Sequence, residues 1–164
     1  MRRRVCAAGV VMVLLLGPLG ALVRAEGTPP LIRKESYALC GLTIGDAETK
    51  VQEILGEPKS FFLEPSPVFG DREVTMSWPG ITTSFLDTEL VNLTVESSRC
   101  KSPDGLAVGA SLESAFALLG EAQAEPRKDG SKLYRYWLEG TYAYFLIFAR
   151  DNKIIQLELW ADFT

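Results

Sequence analysis

The chain has 164 residues and no histidine, and its 21 acidic residues outnumber its 17 lysines and arginines. The missing histidine removes the commonest general base and the commonest metal ligand. The negative net charge argues against nucleic acid as a partner. We therefore expect no catalytic residues, no metal site and no cofactor.

The first 25 residues have the pattern of a cleavable signal peptide. The basic segment Arg2–Arg4 precedes an apolar run from Val10 to Leu16, and Val23-Arg24-Ala25 fits cleavage after Ala25. An uncleaved membrane anchor is the alternative, but Gly17 and Pro18 interrupt the apolar run and leave it short for a span. We expect a secreted or periplasmic protein with no membrane span after cleavage. The mature chain would hold 13 basic and 21 acidic residues, a net charge of −8.

Two segments that lie 64 residues apart in the sequence resemble each other. Residues 41–58 and 105–122 are identical at six of eighteen aligned positions, and three of the six are glycines. The sequence therefore predicts an N-terminal extension at 26–39, a first repeat at 40–100 and a second repeat at 101–164, packed as one domain. Such repeats are typical of binding proteins rather than enzymes.

A short helix and three strands are predicted in each repeat. Asp46 and Ser111 are the expected N-caps, and Gly56 and Gly120 are expected to end the two helices. The fold class is therefore α+β, with two tandem repeats, each a short helical segment followed by a three-stranded antiparallel meander, and with the helices packed on one face of the sheet. The predicted strands are 72–78, 81–87, 90–97, 132–139, 141–150 and 153–160.

Alternation along the strands separates a core face from an outer face. The predicted core face includes Val91 and Ile155, and the segments 59–71 and 121–131 are expected to be loops. The outer face of the first repeat is polar, whereas that of the second has the aromatic and basic composition of an interface hot spot. We predict binding through Arg135, Trp137, Tyr142, Tyr144, Phe148, Arg150 and Trp160. Alternatively, residues 26–39 or a terminal segment cover this face, or a one-residue register shift turns its aromatics inward.

Cys40 and Cys100 are the two cysteines that would remain after signal cleavage. An even pair in a secreted chain predicts a disulfide, with two free thiols as the alternative. The predicted bridge would join the two ends of the first repeat.

The glycine-rich helix pattern resembles the SmpA/OmlA type of domain, which occurs in small outer-membrane assembly lipoproteins. Ile44-Gly45, Val51, Ile54-Leu55-Gly56 and Pro58 match that pattern, and the second copy departs from it at Ala122, where the pattern has proline. Two tandem copies also resemble the β-lactamase inhibitory protein architecture. The resemblance implies a curved antiparallel sheet whose concave face binds a protein. No lipidation cysteine follows the signal segment, so an outer-membrane anchor is not implied.

These observations predict a secreted or periplasmic protein-binding module, inhibitor-like or envelope-assembly-like, that acts through the outer face of the second repeat. Its expected partner is an unidentified protein of the envelope or the extracellular space. One alternative is that the same aromatic face binds a small ligand or a cell-wall glycan. A second is a hydrolase that uses carboxylates alone, for which Asp71/Glu73, Asp87/Glu89 and Asp151 are candidates. A third is a structural envelope domain with no dedicated ligand.

Overall fold

A computed structural model describes residues 28–65 and 72–161 of the chain. The predicted signal peptide and its cleavage site after Ala25 lie outside the described residues. The described part holds two α-helices, one short 3-10 helix at Lys34–Ser36 and nine strands. The helices are α1 (Glu48–Leu55) and α2 (Leu112–Leu119), and the strands are β1 (Leu31–Ile32), β2 (Ser60–Pro65), β3 (Arg72–Trp78), β4 (Ile81–Leu86), β5 (Glu89–Val95), β6 (Glu125–Pro126), β7 (Lys132–Leu138), β8 (Ala143–Arg150) and β9 (Lys153–Ala161).

All nine strands belong to one mixed sheet. Its order is β1-β7-β8-β9-β5-β4-β3-β2, and β6 pairs with β7 beside β1. The β1–β7 pair is parallel, and the other pairs are antiparallel. The prediction of two tandem repeats, each a helix and a three-stranded meander, is therefore wrong. Pairing of β5 with β9 joins the strands into one nine-stranded sheet, and three of those strands lie outside the predicted meanders.

Two of the additional strands lie in segments that were expected to be loops. β2 falls within 59–71 and β6 within 121–131. The β2 sequence has three apolar residues in succession, so it lacks the alternation that marks a strand with one buried face. β6 is two residues long, too short for any periodic pattern, and only its pairing with β7 defines it as a strand.

The main core lies between one face of the sheet and the two α-helices. Two aromatic side chains of the sheet fasten the helix ends, since the indole N–H of Trp78 donates to the carbonyl of Gly56 at 3.1 Å and the Tyr136 hydroxyl donates to that of Gly120 at 2.8 Å. Both glycines have positive φ, 83° and 84°, which ends each helix as predicted. The helical residues buried in this core are Val51, Leu112 and Ala115.

The two helices begin differently. Ser111 caps α2, because its hydroxyl oxygen accepts the backbone N–H of Ser114 at 3.2 Å. The predicted capping role of Asp46 is wrong, since Ala47 occupies the N-cap position of α1 and makes no side-chain hydrogen bond there. The Asp46 carboxylate instead accepts the backbone N–H of Thr43 and pairs with the Lys50 ammonium at 2.8 Å.

Two β-bulges change which residues face the core. The β4–β5 register shifts between Ser84 and Phe85, and the β8–β9 register shifts between Phe148 and Ala149. A bulge inserts one residue and reverses the alternation beyond it. Leu90 and Ile154 are buried in the main core in consequence, and the predicted core positions of Val91 and Ile155 are wrong.

The predicted disulfide is present between Cys40 and Cys100, whose Cα atoms lie 4.8 Å apart. The backbone N–H of Cys40 also donates to the carbonyl of Lys101 at 3.1 Å, so a hydrogen bond accompanies the covalent link. The bridge joins the segment before α1 to the segment after β5. None of the helices in the described residues is long and apolar enough to cross a membrane.

Candidate functional site: a cleft on the outer face of β7, β8 and β9

The antiparallel register of β7, β8 and β9 arranges their outer-face side chains in three rows. The first row is aromatic, the second carries one arginine and one glutamate around a leucine, and the third is mostly apolar. The rows are Trp137–Tyr144–Trp160, Arg135–Leu146–Glu158 and Leu133–Phe148–Gln156.

A cavity of about 640 Å³ lies on this face, and we call it the outer-face cleft. Its floor is a small apolar cluster, separate from the main core, in which Leu133, Leu146 and Phe148 are buried and Tyr144 and Ile155 are partly buried. The volume lies within the range of roughly 300–1,000 Å³ that is usual for small-molecule sites. The residues that line it are Arg127, Asp129, Ser131, Leu133, Arg135, Tyr144, Leu146, Phe148, Ile155, Gln156, Glu158 and Trp160.

Glu158 is the buried acid of the cleft, with 6% of its surface exposed. Its two carboxylate oxygens accept the side-chain N–H groups of Asn92 at 2.5 Å and Gln156 at 3.2 Å. Burial raises the pKa of the Glu158 carboxyl, while these two hydrogen bonds and the positive charges of Arg127 and Arg135 act in the opposite direction. The cleft therefore holds a carboxylate that is hydrogen-bonded yet poorly solvated.

Two arginines supply the positive charge of the cleft. The guanidinium of Arg127 lies over the ring of Phe148, 5.2 Å from its centroid, in cation–π geometry. Arg135 makes a bidentate ion pair with Glu125 of β6, with Nε–Oε1 and Nη2–Oε2 distances of 2.7 and 3.1 Å. The pairing of β6 with β7 holds Glu125 beside Arg135, so the short strand positions one wall of the cleft.

Four of the seven predicted binding residues line the cleft, and three do not. The four are Arg135, Tyr144, Phe148 and Trp160. Trp137 stacks on Tyr144 with ring centroids 6.2 Å apart, and its indole N–H donates to the carbonyl of Thr141 at 2.6 Å. Trp137 thus supports the aromatic row without lining the cavity.

The other two predicted residues lie at the ends of strand β8. Tyr142 precedes the strand in the β7–β8 turn and is 76% exposed, away from the cavity. Arg150 ends the strand and binds Asp129, with guanidinium contacts of 3.2 Å to the carboxylate and 3.0 Å to the carbonyl oxygen. Arg150 therefore fixes the loop that carries Asp129 to the rim of the cleft.

Sequence reasoning missed several cleft residues. Arg127, Asp129 and Ser131 come from the segment expected to be a plain loop, and alternation assigned Ile155 to the core because a local pattern does not reveal a bulge. Glu158 had a visible signal, since it is an acidic residue between two leucines in an apolar strand.

Among the described residues, the N-terminal extension does not cover the aromatic face, and no register shift turns that face inward. The described part of the N-terminal extension, residues 28–39, pairs β1 with the edge of β7 and contributes Ile32, Tyr37 and Leu39 to the main core. The register also places Tyr144 and Phe148 on the outer face.

The acidic residues named from the sequence as hydrolase candidates do not come together at one place in the described structure. Asp87 and Asp151 lie in separate hairpin turns with φ of 50°, and Glu73 lies on β3. Asp71 is outside the described residues. Within residues 28–65 and 72–161, no group of three or more potential metal-ligating side chains lies together.

No family model matches the sequence, and no curated protein matches it. An extracellular protein containing a SCP domain, from Bacillus anthracis, has a similar fold, with a TM-score of 0.51 and 12% identity over 73% of this chain and 44% of that one. A DUF4309 family protein from Bacillus subtilis matches with a TM-score of 0.44 and 18% identity over 74% of this chain and 83% of that one. A cysteine-rich secretory protein from Staphylococcus aureus matches with a TM-score of 0.46 and 10% identity over 82% of this chain and 50% of that one.

The likeness to the Bacillus anthracis protein is a likeness of fold, and this chain spans less than half of its length. None of the three proteins is described as a SmpA/OmlA domain or a β-lactamase inhibitory protein. That resemblance therefore stays a prediction.

Proposed function

We propose that the chain is a secreted, non-enzymatic binding protein and that another extracytoplasmic protein inserts a side chain or loop into the outer-face cleft. The Cys40–Cys100 disulfide supports secretion, because disulfides form and persist in oxidising compartments. The N-terminal signal pattern and the extracellular nature of the similar Bacillus anthracis protein point the same way.

The observation that carries this proposal is the composition of the cleft. Aromatic side chains occupy one end, two arginines and a buried carboxylate follow, and the floor is apolar. Tryptophan, tyrosine and arginine dominate the binding energy of protein interfaces when they surround a pocket from which water is excluded. The positive side chains Arg127 and Arg135 would also select partners with acidic or hydrogen-bond-accepting groups.

A small ligand such as a glycan fragment is the second candidate, and the cavity volume favours it. A sugar ring could stack on the half-exposed indole of Trp160 while Gln156 and Glu158 supply hydrogen-bonding groups. The two candidates use the same residues but differ in the size of the occupant, so an experiment that captures the occupant separates them.

The test places a photo-crosslinking amino acid at position 160 in the full chain, expressed in its own host. A matched chain carries the same amino acid at position 142, which is exposed but lies outside the cleft. We expect a covalent protein adduct from position 160 and none from position 142. An Arg127→Ala change in the first chain should reduce the adduct, because it removes one wall of the cleft.

A parallel titration follows tryptophan fluorescence of the unmodified chain with cell-wall glycan fragments. Quenching that Trp160→Ala abolishes, without a protein adduct, would replace the protein-binding proposal with the glycan-binding candidate. Equal adducts from both positions, or neither adduct nor quenching, would refute binding in the cleft.

A further inference from the structure

Strand β2 is an edge of the sheet, and among the described residues it pairs only with β3. The opposite edge is covered, because β1 and β6 pair with the two ends of β7. Three successive apolar side chains of β2 are exposed, with 47% of Phe61, 61% of Phe62 and 53% of Leu63 open to solvent. Natural edge strands usually carry charges, prolines or bulges that limit further pairing, and β2 has such residues only at its C-terminal end, Glu64 and Pro65. The exposed apolar part that precedes them is a template for an added strand.

Like charges face each other beside these apolar side chains. Glu64 of β2 and Glu73 of β3 are directly paired across the two strands. Two carboxylates in that position destabilise a sheet. Among the side chains that the structure describes, no cation forms an ion pair with either of them.

The two glutamates and Phe62 surround a small cavity. Its volume is about 240 Å³, and Thr75 completes its lining. A lysine or arginine side chain in this cavity would pair with both carboxylates and could lie against the aromatic ring of Phe62 in a cation–π contact. One occupant would therefore complement both the apolar edge and the acidic cavity, namely an extended segment that carries a basic residue.

We propose that the β2 edge binds an extended segment of a basic partner protein, which adds a strand to the sheet and places a lysine or arginine between Phe62, Glu64 and Glu73. Backbone hydrogen bonds to the free side of β2 would supply affinity that is independent of sequence. Side chains on alternate positions of the added strand would then read the acidic cavity on one face and the apolar side chains of Phe61 and Leu63 on the other.

Charge complementarity favours such a partner over a second copy of this chain. In a two-fold antiparallel pair of β2 strands, each copy would bring its own Glu64 to the face that already carries two carboxylates. β2 itself contains no cation, and Lys59, which directly precedes it, falls by alternation on the opposite face from Phe62 and Glu64. Self-pairing would therefore bury apolar area but leave the acidic cavity without a counter-charge.

This surface is separate from the outer-face cleft. Four strand spacings of about 4.8 Å, roughly 19 Å in all, separate β2 from β9. Loss of binding at one surface therefore leaves the other to be measured independently.

The test titrates isotope-labelled full chain with a synthetic peptide of sequence Thr-Val-Lys-Val-Lys-Val-Thr, blocked at both ends, and follows backbone amide shifts. We expect shifts centred on β2 and β3 at low salt that weaken as salt is added. A peptide with glutamate in place of lysine, and a lysine peptide N-methylated at alternate residues, should not bind, since the first reverses the charge and the second removes backbone donors.

The decisive variant is the double change Glu64→Gln and Glu73→Gln, which keeps both side-chain shapes. Two partly exposed ion pairs correspond to a loss of roughly tenfold in affinity for the lysine peptide. The control is Glu113→Gln with Glu121→Gln, which removes the same charge from exposed positions in the other half of the chain and should change affinity less than twofold.

Equal affinity of the two double variants, shifts away from β2 and β3, or no binding of the lysine peptide at millimolar concentration would overturn the proposal. Concentration-dependent dimerisation of the free chain that Phe62→Lys abolishes would also overturn it, by assigning the edge to a second copy.

Discussion

The Cys40–Cys100 bridge closes a loop across 60 positions, and its removal has a calculable effect on stability. In the chain-entropy model, a loop of this length restricts the unfolded chain by about 4 kcal/mol at 25 °C. The predicted mature chain of about 139 residues has an unfolding entropy near 0.3 kcal/mol/K at about 2.1 cal/mol/K per residue. The double variant Cys40→Ala, Cys100→Ala should therefore unfold roughly 14 °C below the oxidised protein.

Guanidinium unfolding followed by tryptophan fluorescence measures the loss of unfolding free energy. The reduced wild-type protein separates the loss of the covalent restriction from the loss of packing by the sulfur atoms. Reduction removes the covalent restriction but keeps both sulfur atoms, so it should lose nearly the full 4 kcal/mol. Any additional loss in the double variant reports packing, since Cys100 is only 1% exposed. A double variant within about 1 kcal/mol of the oxidised protein would refute the assignment of this stability to loop closure.

Three further predictions concern single side chains. Burial raises the pKa of Glu158 in the folded protein, so ionisation of this carboxyl at higher pH destabilises the fold. The stability of Glu158→Gln relative to wild type should therefore rise from pH 4.5 upward. Parallel pH profiles of the two proteins in chemical unfolding would contradict this. Ser111→Ala should lower the stability of the protein by about 1 kcal/mol through loss of the α2 cap. Thermal unfolding, with Ser111→Asp as the control, would detect this loss. An unchanged melting temperature would show that the cap does not stabilise the protein. Gly80→Ala should destabilise the protein more than Gly140→Ala, although both glycines have positive φ. An added Cβ at Gly80 would lie 2.8 Å from the Cβ of Ser97, whereas an added Cβ at Gly140 would have no atom within 4 Å. Equal losses of stability would show that the positive φ alone decides the cost.

Local patterns predicted much of the secondary structure and part of the site. Six strands occur within two residues of their predicted bounds, since one buried face imposes a period of two on the sequence. The same period placed Tyr144, Phe148 and Trp160 on the outer face, where the structure has them. It failed at Val91 and Ile155, because a bulge inserts one residue without any mark in the alternation.

The aromatic composition of the outer face indicated a surface but not its boundary. Tyr142 satisfies the alternation and still lies outside the cleft, because it belongs to the turn before β8. Arg127 lines the cleft although it lies in no strand, since its stacking on Phe148 depends on the fold of the connection between β6 and β7, in which it lies.

The sequence by itself determined features that depend on neighbouring residues: the period of the strands, the helix ends at Gly56 and Gly120, and the pairing of the two cysteines that remain after the signal pattern. Only the tertiary structure decided the joining of β5 to β9, the exposed edge at β2, and the burial of Glu158 in a cleft that two arginines also line. The physical reason is that strand pairing and desolvation arise from contacts between distant residues. A local period says which side chains share a face, but not which strand lies beside them.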